Sequence, residues 1–229
     1  MKHYRIDSSL LSLEEFKELT ANRRMLPGRV MLHEQMDVRF GLLKSSGMET
    51  LGDVLRILGS KSKIHSFAIQ TGLTEDYLVL LKREAGSYIA KPIALSSFPG
   101  IPFEYVELLK SRGINNTKDL FMQVQSEHQQ EDLSASTGIP AYRLKELSSL
   151  CDLSRITGVG GIFARVLYEA GIHSTEAFAN TDTASLLNSC QLVIEKHGYA
   201  VGKLGEEDMN YGIHYARVVV SCDHLRDNS

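Results

Sequence analysis

LSRITGVGGIFARVLYEAGI, residues 153–172, decides how the rest of the chain is read. Leu153 and Ile156 are spaced as on a short helix, and Ala164, Val166 and Leu167 resume helical spacing further on. Between them, Gly158-Val159-Gly160 makes a tight hairpin, because glycine enters left-handed backbone without steric cost. A helix that opens on such a turn has amide N–H groups with no internal partner, at the positive end of its dipole. This arrangement suits a phosphate oxygen, and a nucleic-acid backbone is a run of phosphates. The candidate contact comprises Gly158, Val159, Gly160 and Gly161, whose glycine N–H groups would grip a phosphate. Arg155 and Arg165 flank the turn and are expected to add charge, but Arg143, Lys145, Arg155 and Arg165 are balanced by Glu146, Asp152, Glu169 and Glu176, and Arg165 can equally pair with Glu169 at i+4.

Parts of this stretch recur along the chain. Leu42-Leu43-Lys44-Ser45-Ser46-Gly47-Met48 returns as Leu108-Leu109-Lys110-Ser111-Arg112-Gly113-Ile114 and again as Val166-Leu167-Tyr168-Glu169-Ala170-Gly171-Ile172. Each glycine follows an apolar-periodic helix, where a left-handed residue closes the last turn. Each is followed three residues later by a good N-cap: Thr50, Asn116 and Ser174. Met48, Ile114 and Ile172 sit between stop and start and are expected to plug the corner. Thr71-Gly72-Leu73 likewise returns as Thr137-Gly138-Ile139, with Leu78 and Leu81 falling on Leu144 and Leu147. Alternating β-branched runs are nearly absent. The chain is therefore expected to be all-α, built of tandem repeats of short helices. Among these are 33–46, 116–126, 140–149, 151–157, 161–170 and 205–222, the first helix (12–22) opening on a Ser12–Glu15 capping box. Pro92 and Pro99 mark residues 87–99 as a linker, which divides the chain into an N-terminal helical region (1–90) with a degenerate hairpin and a C-terminal region (91–229).

The pattern from Ile156 through Gly160 to Gly171-Ile172 resembles the helix-hairpin-helix motif of DNA-repair and replication proteins. The wider run from Thr137 to Leu187 is similar to an uncharacterised bacterial and archaeal family of such repeats, catalogued as a domain of unknown function. There too a Thr-Gly-Ile helix precedes an Arg-Ile-x-Gly-Val-Gly hairpin. The resemblance implies an all-helical repeat fold and, for the motif in general, sequence-independent binding to nucleic-acid phosphates. It implies no activity for the family. The hairpin decays toward the N-terminus of this chain. Its second occurrence, Gly100-Ile101-Pro102, keeps one glycine but loses a donor N–H to proline. The first, Glu34-Gln35-Met36 before Asp37, places two carboxylates where an anion would sit.

Composition limits the function classes. The net charge of −3 argues against a strong nucleic-acid binder, since such domains are usually basic. The densest basic patch, Asn22 to Arg29, serves equally well as a local anion contact or a solvated loop flank. No apolar run reaches membrane-spanning length, and MKHYRIDSSLLSLEEF lacks a signal-peptide core, so a cytoplasmic location is expected and no membrane partner. Cys151, Cys190 and Cys222 are too far apart for a CxxC site and are expected to be buried free thiols. Cys222-Asp223-His224 with His214 offers too few ligands for a metal site. There is no HExxH, Walker-type loop or GxSxG, so neither an enzyme nor a cofactor is expected. Tyr88, Phe98, Phe103, Tyr105 and Phe163 are assigned to the core.

Two functional readings remain. One is weak, sequence-nonspecific binding to a DNA or RNA phosphate backbone, with a log K–log salt slope of about −1 to −2 if one or two phosphates are neutralised. The other is a scaffold with a protein partner and no nucleic-acid binding, in which the glycines serve only the sharp turn.

Overall fold

A computed structural model describes residues 2–227, with the exception of the Asp227 side chain. The protein is all-α, and its described residues form two compact units with no strand apart from the isolated bridges Ser12–Thr50 and Ala94–Asn116. The first unit, Ile6–Ile89, contains α1 (Leu13–Asn22), a 3-10 turn (Pro27–Leu32), α2 (Met36–Ser45), α3 (Leu51–Ile57), α4 (Lys61–Thr71) and α5 (Glu75–Ser87). The second contains residues 2–5 together with residues 90–227. After a 3-10 turn (Leu95–Ser97), its helices are α6 (Phe103–Ser111), α7 (Thr117–Phe121), α8 (Glu127–Thr137), α9 (Ala141–Leu153), α10 (Gly161–Glu169), α11 (Thr175–Ala179), α12 (Thr183–His197) and α13 (Glu206–Asp227). Among the described residues no helix is long and apolar enough to cross a membrane.

The glycine joints have one geometry in all three places. Gly47, Gly113 and Gly171 have φ of 85°, 78° and 92°. Each donates to the carbonyl three residues back (Lys44, Lys110, Tyr168; 2.8–3.1 Å), and the next residue reaches back to Leu43, Leu109 or Leu167 at 2.9–3.2 Å. These paired bonds satisfy carbonyls that a helix end would leave orphaned. Met48 and Ile114 are fully buried and Ile172 nearly so. Thr50, Asn116 and Ser174 then accept the amide of Asp53, Asp119 and Ala177 at 3.0–3.2 Å and start the next helix. The threonine-glycine turns match too: Thr71 and Thr137 hydroxyls bond back to Phe67 and Leu133, and Gly72 and Gly138 both have φ of 74°. Leu78, Leu81, Leu144 and Leu147 have no exposed surface, each burial being worth about 1.5–3 kcal/mol against an exposed side chain.

Several boundaries differ from the sequence expectation. Residues 140–149 and 151–157 do not form two helices: nothing between Ser149 and Asp152 breaks the backbone, so α9 runs on to Leu153, and 154–157 become turn. Helix α7 stops at Phe121, and Val124 beyond it is fully buried. The segment 87–99 is not a free linker. Ile93 and Thr117 exchange bonds, the Ile93 N–H to Thr117 Oγ1 and the Thr117 N–H to Ile93 O, and Phe98 is buried.

Residues 2–5 also depart from the expected 1–90 region. Tyr4 is 2% exposed, with its hydroxyl against Thr117 and Ser154 at 2.7 and 3.1 Å. The Lys2 amide donates to Gln125 and Arg5 Nε to the Ala90 carbonyl. These bonds fasten the N-terminus into the second unit.

Candidate functional site

The turn at Gly158–Gly161 follows the end of α9. Gly158, with φ of 89°, occupies the second corner of a turn closed by the Val159 N–H donating to Ile156 O at 3.0 Å. Positive φ at that corner is what requires glycine. Val159 is buried, and Gly160 returns to extended backbone (φ −85°, ψ −179°) as the N-cap of α10. Having no side chain, Gly160 cannot cap, and the first helical bond is Ala164 N–H to Gly160 O at 2.8 Å. The amides of Gly158, Gly160, Gly161 and Ile162 find no hydrogen-bond partner among the described residues. Gly158 and Gly160 are exposed, and a methyl group built on either would meet nothing within 4 Å. On that side the corner is open.

Gly161 has a different role. A methyl there would overlap the Ser97 carbonyl, so this glycine is required for the start of α10 to pack on the Leu95–Ser97 turn.

Neither arginine stands at the turn as a free cation. Arg155 is 1% exposed. Its Nη2 donates to both Asp223 oxygens at 2.7 and 2.8 Å, Nη1 donates to Asp152 at 2.9 Å, and its guanidinium lies 5.0 Å from the Phe121 ring centre. Burial opposes its charge, but the two carboxylates prevail and hold it above the ordinary guanidinium value. Asp152 also accepts the Thr175 amide, so this buried cluster ties α9, α11 and α13 together. Arg165 is 4% exposed, paired through Nη1 with Glu146 at 2.5 Å and through Nε with the Pro99 carbonyl at 2.8 Å. Charge assistance by Arg155 and Arg165 is therefore corrected. The nearby carboxylates Asp152, Glu146 and Glu169 are visible in the sequence and do pair with them, but the burial of both arginines and the distant partner Asp223 are not.

The turns at Gly100 and Gln35 differ in detail. Gly100 has φ of 78° and precedes Pro102, the cap of α6. Gln35 holds φ of 48° at the start of α2, with Glu34 paired to Arg39 and Asp37 paired to Lys17. The basic patch at residues 22–29 is largely occupied. Arg23 and Arg29 both bind Glu84, whose side chain has no exposed surface.

The structure also shows what the sequence reading missed. Tyr88 and Phe98 are buried as expected, but Phe103 is 70% exposed, with Lys110 Nζ 6.0 Å from its ring centre. Tyr142 is 66% exposed, with the Arg143 guanidinium 5.4 Å from its ring centre. Phe103 shares helical spacing with buried Val106 and Leu109, but as the first residue of α6 it overhangs the core.

Residues 99–201, just under half of the chain, match a family model described as Domain of unknown function (DUF4332). Neither a curated protein nor a solved structure matches the chain. The part of the chain that resembles an uncharacterised domain family thus contains both the Gly100 and the Gly158–Gly161 turns.

Proposed function

We propose that this chain is a non-catalytic helix-hairpin-helix protein that binds nucleic-acid backbone weakly and without sequence preference. The observation that carries this reading is the open corner at Gly160, where the Gly160, Gly161 and Ile162 amides have no internal partner and a methyl on Gly160 would meet nothing within 4 Å. A phosphate oxygen placed there would replace water on those donors, at the positive end of α10. Because Arg155 and Arg165 brace the interior, the grip relies on amides and the helix end. Few counterions would be released, so the duplex salt slope should be shallower than about −1. Useful affinity then requires a second point of attachment.

A protein-interaction scaffold is the second reading, favoured by the acidic net charge and by the consumption of both arginines inside the fold. Fluorescence anisotropy of a labelled duplex with wild type and Gly160→Glu separates the two. At Gly160 the backbone is extended and the space empty, so glutamate fits and changes only the charge at the corner.

A further inference from the structure

Two large rings stand in solvent within the second unit, each beside a cation. Phe103 opens α6 and Tyr142 is the second residue of α9, both helices being capped by a proline, Pro102 and Pro140. Arg143 Nη1 donates to Glu146 at 2.8 Å, Glu146 takes Arg165 Nη1 on its other oxygen, and Arg165 Nε donates to the Pro99 carbonyl. This relay fixes the Tyr142 end of α9 to the loop that leads into Phe103.

That loop supplies donors as well. The Gly100 and Ile101 amides have no partner among the described residues, and Gly100 is exposed. Beneath the turn, Arg165 Nη2 is buried without an acceptor, 3.8 Å from where a Gly100 side chain would begin. Glu146 and Glu169 offset its charge, so what it offers the turn is an unused donor N–H.

Charges of both signs are present. Lys110 is held by Glu107 at 2.7 Å, but both side chains are about half exposed, and a pair so solvated is weak. A phosphate can compete for that lysine. Glu146 is shared by two guanidinium groups, and Glu169 lies 3.9 Å from Arg165 Nε, so these two arginines and two carboxylates balance and the attraction for an anion comes from the amides and Lys110. Glu104 and Glu107 on α6 oppose an anion and keep the affinity modest.

Exposed rings with neighbouring cations and free amide donors are the elements of a surface that binds single strands, because every unpaired base presents a flat face for stacking. A duplex keeps its bases stacked inside and offers the rings nothing comparable. We infer that unpaired bases of a single-stranded nucleic acid stack on Phe103 and Tyr142, with a phosphate at the Gly100–Ile101 amides. This rests on the nucleic-acid reading above and adds to the backbone grip at Gly160 a second point of attachment, at Gly100–Ile101, that takes single strands.

The chain has no tryptophan, so Phe103→Trp introduces a single reporter at an exposed position. Titration of this variant with oligothymidylate at low salt should quench its fluorescence to saturation. In anisotropy with labelled oligothymidylate, Phe103→Ala and Tyr142→Ala should each weaken binding about 10-fold and leave duplex affinity unchanged. Binding without quenching, or ring variants that bind like wild type, overturns the stacking surface. If duplex binding still falls in Gly160→Glu, only the stacking surface fails. If wild type binds neither single strand nor duplex, both proposals fall.

Discussion

Arg155 and Asp223 form a two-pronged ion pair, one guanidinium nitrogen lying 2.7 and 2.8 Å from the two carboxylate oxygens, with the residues 1% and 7% exposed. Removing one partner of such a pair leaves an uncompensated buried charge, which costs about 3–5 kcal/mol. Asp152 remains beside Arg155 and softens the loss. Asp223→Ala should therefore destabilise the protein by about 3 kcal/mol. A lower urea midpoint at unchanged slope is the expected readout, whereas an unshifted midpoint would place this pair outside the stabilising core.

The two glycines that open α10 should respond differently to the same substitution. Gly160→Ala meets no neighbour, and the entropy it removes from the unfolded chain is offset by alanine's poorer N-capping, so stability should change by less than about 0.5 kcal/mol. Gly161→Ala drives a methyl into the Ser97 carbonyl, and overpacking of this kind costs about 1–3 kcal/mol. Thermal unfolding of both variants checks the contrast; equal midpoints would show that the start of α10 does not pack on the Leu95–Ser97 turn.

That contrast marks the limit of what the sequence revealed. Gly47, Gly113 and Gly171 were legible because a helix stop, an apolar plug and an N-cap are local events, each set within a few residues. The destinations of Arg155 and Arg165 were not, since Asp223 and Pro99 lie far from them along the chain. Phe103 misled for a related reason: helical spacing tells which face a residue shares, not whether the core extends to the end of the helix. Likewise Gly158 and Gly161 are identical in sequence, and only their surroundings separate the open one from the packed one.

Asp53 should make the first unit sensitive to acid. Its carboxylate takes a hydrogen bond from Arg56, accepts the Glu49 and Thr50 amides against a small burial cost, and is lowered to about 2. A carboxyl depressed on folding stabilises fully above its unfolded value near 4, and the benefit fades as pH falls toward 2. The group is partly exposed, so solvent screening limits the effect to about 1 kcal/mol. Asp53→Asn should be less stable than wild type at pH 7, with the gap narrowing between about pH 5 and 3. A gap that does not change with pH would rule out the charge as the cause.

The thiols should be chemically quiet in the folded protein. Burial pushes Cys190 up to about 11 and Cys151 well above its ordinary value, while Cys222 is 4% exposed. Thiolate is the reactive form, so a disulfide reagent at pH 8 should label the native chain slowly and all three cysteines promptly in denaturant. Rapid labelling of the native chain would show that these helices open readily.

Duplex anisotropy measured across a salt series, for wild type beside Gly160→Glu, tests the amide grip most directly. The account predicts weak wild-type binding with a slope shallower than about −1, and at least a 10-fold loss when glutamate is placed at the open corner. Affinity that is unchanged by the substitution, or absent from wild type at low salt, would contradict it.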